Sequence, residues 1–293
     1  MNWDLNSRLK SSRPSDPALD FCLWPYEPPR LPSKGALRSS ALLFQSFAVA
    51  GVSEHMLAIC DAIKDRFGLF KTVWGIKYAG EQLSWEFYFY DYLRADRRLG
   101  VGDFMDATKN QLRYSFVPDD SNPYFMFSVE IDDRHAQGEI PIDQIDIYIG
   151  NPGSEVSSGI CYGLSAKGYE MRNFYFFFDA IQHQNDIRNK VLESTRLPYG
   201  KVKIDNIIWP EMNGVQTIVV ANKRYIDGMY FSRITIDQLI LFLEKLKYPV
   251  ELREFMIEQH EALGHHLFDV GYDFLPDKDS DVRYLKGSYY GIL

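Results

Sequence analysis

Five short aromatic runs, each placing a tyrosine near the end of an apolar strand pair, constrain this chain more than any single motif. They are Trp85-Glu86-Phe87-Tyr88-Phe89-Tyr90, Gln144-Ile145-Asp146-Ile147-Tyr148-Ile149, Asn173-Phe174-Tyr175-Phe176-Phe177, Gly228-Met229-Tyr230-Phe231-Ser232 and Gly287-Ser288-Tyr289-Tyr290. A supersecondary unit that recurs along a chain points to one packing solution used repeatedly. In the first run, strand alternation sends Trp85, Phe87 and Phe89 to one face and Glu86, Tyr88 and Tyr90 to the other. The first face suits a covering helix layer. The second mixes rings, hydroxyls and an acid, and suits the wall of a chamber.

The rest of the pattern supplies partners for these runs. Residues 1–35 form a Pro- and Ser-rich irregular lead-in, with Pro25, Pro28, Pro29 and Pro32 clustered and Phe21, Trp24 and Tyr26 available to pack it down. Residues 36–293 read as one domain. Helical spacing runs through 37–67, where Ser53 and Glu54 make a cap before Met56, Leu57, Ile59, Ala62 and Ile63. Strands are expected at 71–78 and 83–92, joined at Ala79-Gly80-Glu81-Gln82, then a helix at 101–114. Further strand pairs fall at 124–131 with 142–149, 159–166 with 170–178, 215–222 with 225–233, and 266–274 with 282–292. Helices are expected at 179–195, 235–246 and 249–263; Thr235 caps the second, and Pro249 opens the third, where its missing N–H costs little. Ten strands in an open sheet would leave two edges to protect, whereas closure removes both. The expected fold is therefore α+β, a ten-stranded antiparallel β-barrel of five α-β-β-α units ringed by helices. A barrel of that size has room for a ligand where eight strands are commonly filled by side chains.

Composition narrows the partners. The 293 residues are 46% hydrophobic, ample for a sizeable core, and carry a net charge of −8. The nearest approaches to a basic run are Arg94-Ala95-Asp96-Arg97-Arg98 and Lys201-Val202-Lys203, too short and diluted for sustained binding to a nucleic-acid backbone or an anionic membrane. No stretch approaches the roughly 20 apolar residues of a membrane helix. Cys22, Cys60 and Cys161 are odd in number and far apart, which fits a reducing compartment and an expected cytoplasmic location. Glycine-rich phosphate loops, serine-hydrolase elbows and an aspartate-rich DDxxD helix are absent. His260, His265 and His266, near Glu261 and Asp269, do not share a helix face, and Asp132-Asp133-Arg134-His135 reads as a polar loop, so no residue is assigned to a metal.

This organisation resembles that of the ABBA, or PT-barrel, aromatic prenyltransferases of the soluble bacterial type. The resemblance is carried by Met229-Tyr230-Phe231-Ser232-Arg233-Ile234 with its following leucine-rich helix, by Arg283-Tyr284-Leu285-Lys286-Gly287-Ser288-Tyr289-Tyr290-Gly291-Ile292, and by the shorter Asn173-Phe174-Tyr175-Phe176. It implies a lumen that binds a prenyl diphosphate and a small aromatic acceptor, and an enzyme that transfers an allylic group to the acceptor's electron-rich ring. A ring of tyrosines would shield the allylic cation, here Tyr88, Tyr148, Tyr175, Tyr230 and Tyr289. Ring quadrupoles stabilise a cation without attacking it as water does. Arg172, Lys223 and Lys286 would hold the diphosphate, with Asn173 at a diphosphate-contacting place. Glu86 or Asp146 would orient the acceptor and remove its proton. Mg2+ enters through the same resemblance, with Glu86 at the family's magnesium-linked acid.

The positions two before each tyrosine depart from the family's basic pattern. They hold Glu86, Asp146, Asn173, Gly228 and Gly287. Acids there repel a diphosphate in a low-dielectric lumen. The same acids among aromatic rings suit an amine. The second expectation is therefore a barrel, binding protein or enzyme, that takes a cationic or neutral small molecule held by Glu86, Asp146 and the tyrosines.

Overall fold

In the computed structural model, described over residues 3–90, 99–118, 123–151, 156–194, 196–197, 202–277 and 282–293, ten antiparallel strands form a closed barrel. The strands are β1 (Thr72–Ala79), β2 (Gln82–Tyr90), β3 (Met126–Ile131), β4 (Gln144–Asn151), β5 (Ser157–Ser165), β6 (Gly168–Asp179), β7 (Thr217–Lys223), β8 (Asp227–Ile234), β9 (Phe268–Pro276) and β10 (Val282–Ile292). Each pairs with its neighbours in sequence, and β10 returns to β1 with Gly75 opposite Tyr290. This up-and-down closure leaves no sheet edge exposed.

Eight α-helices are present among the described residues: α1 (Ser40–Ala50), α2 (Glu54–Phe67), α3 (Val101–Thr108), α4 (Asp133–Ala136), α5 (Gln184–Leu192), α6 (Ile236–Lys245), α7 (Val250–Glu258) and α8 (His260–Leu263). The α+β class and the closed ten-stranded barrel thus stand. The regular series of five α-β-β-α units is not confirmed: α4 lies inside the β3–β4 connection. The helical stretch at 37–67 breaks at Gly51 into α1 and α2. Ser53 sits at the α2 N-cap but makes no side-chain cap bond; its N–H instead donates to Asp133 Oδ1 at 3.2 Å. Thr235 does cap α6, with Gln238 N–H donating to its Oγ1 at 3.3 Å. Tyr92, the basic run at Arg94–Arg98, Lys201 and Thr195 lie outside the described residues.

The apolar core is a sleeve between the barrel's outer face and the helices. Trp74, Trp85, Phe87, Phe127, Phe231 and Phe268 point outward from the strands and are fully buried beneath Phe47, Phe104 and Phe242. Truncating one of these rings to alanine typically costs about 3–5 kcal/mol. The Trp85 indole N–H donates to Ser46 Oγ at 2.7 Å, fixing β2 against α1. With the outer face committed to this sleeve, the inner face is free to carry polar chemistry.

The lead-in is more than packing. Phe21 enters the barrel end opposite the hairpin loops, its ring 5.0 Å from Tyr88 and 4.3 Å from Tyr290. The Phe21 N–H donates to Asp269 Oδ2 at 2.5 Å, and Asp20 pairs with Arg233 at 3.2 Å. Burial and the nearby Asp20 charge hold Asp269 well above the usual carboxylate range. Tyr26 anchors the strap by accepting from the Leu267 N–H at 3.1 Å, whereas Trp24, expected to pack, is exposed. The three cysteines are free thiols. No helix of the described residues is long and apolar enough to cross a membrane.

Candidate functional site

A cavity of about 330 Å³ occupies the lumen between the Phe21 end and the hairpin mouth. Of the residues singled out from sequence, Glu86, Tyr88, Asp146 and Tyr148 line it on β2 and β4. Arg172, Asn173, Tyr175, Lys223 and Tyr230 line it on β6, β7 and β8, and Lys286 on β10. Tyr289 does not. It faces the outer sleeve, 5.9 Å from Trp74 and 5.7 Å from Tyr248, and Tyr290 takes the inward place.

The tyrosines form the deep wall. Tyr88 lies 5.8 Å from Tyr290, and Tyr175 lies 6.1 Å from Tyr148 and 6.2 Å from Tyr230. Four of them face a small residue across the sheet: Tyr290 opposite Gly75, Tyr88 opposite Ser128, Tyr175 opposite Gly159 and Ala221, Tyr230 opposite Gly271. A Cβ at Gly271 would stand 2.1 Å from the Tyr230 ring, so only glycine admits it. Burial raises all five phenols well above their ordinary value. They are therefore neutral hydroxyls near neutral pH, able to donate.

Towards the mouth lies a charged layer. Glu86 accepts from Tyr88 OH at 2.5 Å and from the Ser128 hydroxyl, and pairs with Lys77. Lys77 also donates to Glu130 Oε2 at 2.7 Å. Burial opposes the Lys77 charge, but Glu130 and Glu86 outweigh it and hold the ammonium well above its usual range. Asp146 accepts from Gln144 Nε2 at 2.6 Å, and Arg172 donates to Gln144 Oε1 at 2.6 Å. Burial and the Glu86 charge push Asp146 up to about 6, against the weaker pull of Arg172 and Lys77. Asp273 accepts from Lys223 at 2.5 Å and faces Lys286 at 3.2 Å. Burial works against its charge, but the two lysines more than compensate and hold it low. The Asn173 amide donates to Tyr175 OH at 2.9 Å.

This geometry changes the meaning of the cations. Lys223 and Lys286 do line the chamber, but both share Asp273, and Lys77 is held by two carboxylates. Lys77 also fills the space between Glu86 and Glu130 that a divalent ion would take. Among the described residues no three His, Cys, Asp or Glu side chains converge on a metal position, and the chamber wall has no histidine. A mononuclear iron site of two imidazoles and a carboxylate does not fit it. The histidines are spoken for elsewhere: His260 meets Asp237 at 2.9 Å, His265 meets Ser12 at 3.0 Å and His266 meets the Leu37 carbonyl at 2.9 Å. Asp132 caps the short α4, accepting from the His135 N–H at 3.0 Å.

Sequence reasoning counted Lys77 only among several cations that could supply charge to the lumen, and left Ser128, Glu130, Asp273 and Ser288 out of the site. A signal for them existed. On β1 the outward series Trp74, Ile76, Tyr78 fixes Gly75 and Lys77 as inward, and on β9 Val270, Tyr272, Phe274 does the same for Gly271 and Asp273.

No protein-family model matches the chain. It is similar to a putative JmjC domain-containing protein of Acanthamoeba polyphaga mimivirus, with 23% identity over an alignment of 305 positions that spans 89% of this chain and 48% of that protein. The resemblance is to a JmjC-named protein. It overturns the expected membership of the aromatic prenyltransferase family, and with it prenyl transfer as the activity. The paired lysines give the physical reason that the diphosphate grip fails. The chain spans about half the length of this curated relative.

Proposed function

We propose that the barrel is a chamber for a cationic or neutral small molecule, held by Glu86 and Asp146 against the tyrosine wall. The observation that carries this reading is the state of the charges. The chamber's lysines face carboxylates, Lys77 most tightly and Lys286 most loosely, while among the described residues Asp146 forms no salt bridge and accepts from the Gln144 amide. An ammonium entering from the mouth gains a carboxylate partner and several ring faces, each worth about 0.5–2 kcal/mol when desolvated. A diphosphate would have to break the Lys223–Asp273 and Lys286–Asp273 pairs first. The cavity of about 330 Å³ is at the small end of ligand sites, consistent with one compact aromatic guest. Asp146, raised to about 6, gives the chamber a group that accepts or returns a proton near neutral pH, so binding and acid–base catalysis share one residue. The distant similarity to a JmjC-named protein supports a role other than prenyl transfer.

Calorimetric titration with tyramine and with dimethylallyl diphosphate tests this. Tyramine should bind, and Asp146→Asn should weaken it by about tenfold or more, the loss of one charge-assisted bond. Diphosphate binding tighter than tyramine, or an unchanged affinity in Asp146→Asn, refutes the reading.

A further inference from the structure

The chamber holds three lysines with only one left loosely held. Lys77 lies in a double carboxylate clamp and Lys223 sits 2.5 Å from Asp273. Lys286 reaches the same Asp273 only at 3.2 Å, because that carboxylate is shared, and its side chain is 30% exposed against 8% and 10% for the other two. The sharing is built in. Gly228 lies directly beneath the Lys223–Asp273 pair, where a Cβ would stand 2.9 Å from Asp273 Oδ1 and 3.2 Å from Lys223 Cε. Its missing side chain lets Lys223 cross to Asp273, which leaves Lys286 as the surplus ammonium of the cluster.

We propose that Lys286 is a nucleophilic amine that captures a carbonyl-bearing aromatic molecule in the chamber as a Schiff base. The amine must be unprotonated to attack, and the surroundings favour that form: burial lowers the Lys286 ammonium, Lys77 and Lys223 lower it further, and only Asp273 and Glu130 oppose them. The Lys286 nitrogen adds to the carbonyl carbon to give a carbinolamine. Loss of water then forms the C=N bond, with both amine protons and the carbonyl oxygen leaving as water and no change of oxidation state. The tyrosine wall receives the ring of the guest. Aromatic aldehydes and ketones are therefore the ligand class, which deepens the proposed reading of the chamber while using a different wall from Glu86.

Incubating the full chain with 4-hydroxybenzaldehyde and sodium cyanoborohydride at about pH 7, followed by peptide mass spectrometry, tests the proposal. Lys286 should be reductively alkylated at least about tenfold faster than the average lysine. Lys286→Arg, which keeps the charge, should abolish the single fast adduct and retain the wild-type circular dichroism spectrum. Labelling spread over surface lysines, or a fast adduct that persists in Lys286→Arg, overturns it. Trapping without tyramine binding would count against the acid-wall reading alone; tyramine binding without trapping would count against Lys286 alone.

Discussion

Replacing Asp146 with asparagine separates the cost of its charge from the shape of its side chain. In the folded chain burial and Glu86 raise Asp146 from an ordinary value of 3.8 to about 6. A raised folded value means that the stability present below the unfolded pKa is lost as pH climbs through the folded one. Wild type therefore carries a penalty that grows to about 3 kcal/mol at about pH 8 and is only about 2 kcal/mol at about pH 5. Asparagine keeps the acceptor for Gln144 but never ionises. Its stability advantage should thus rise by about 1 kcal/mol between about pH 5 and about pH 8. Urea denaturation of both proteins at the two pH values measures this difference directly, with equal slopes confirming a common unfolding transition. An advantage that does not grow with pH across that range refutes the assignment of a buried acid with a raised pKa at this position.

Three further substitutions follow from the two faces of the barrel. Tyr290→Phe removes the hydroxyl that meets Ser288 Oγ at 2.7 Å and should cost about 1 kcal/mol in denaturation and alter guest affinity, whereas Tyr289→Phe removes a buried hydroxyl with no partner and should be neutral or stabilising. Gly271→Ala drives a methyl into the Tyr230 ring and should destabilise by about 1–3 kcal/mol in a thermal melt; a variant as stable as wild type would mean that the ring does not lie across that glycine.

The strands were legible because their two faces differ in kind. In β2 the outward Trp85, Phe87 and Phe89 alternate strictly with Glu86, Tyr88 and Tyr90, and such alternation survives in any environment. Tyr289 was misplaced because β10 offers tyrosines of both parities, and the irregularity between Tyr284 and Lys286 breaks the count from the strand's start. The ion pairs were illegible for a deeper reason. Asp273 meets Lys223, fifty positions upstream and two strands away across Gly228, and Lys286 on the next strand, and only the pairing of β7 to β10 makes them neighbours. Prenyl transfer followed from reading tyrosines without knowing which cations were already neutralised.

Phe21 gives the chamber a floor, and a tube with a floor has only one door. A molecule admitted through the hairpin mouth must leave by the way it came, and the chamber has room for one compact guest. Exchange therefore goes by turns: the occupant has to depart before the next can enter, and a newcomer cannot push it out from behind.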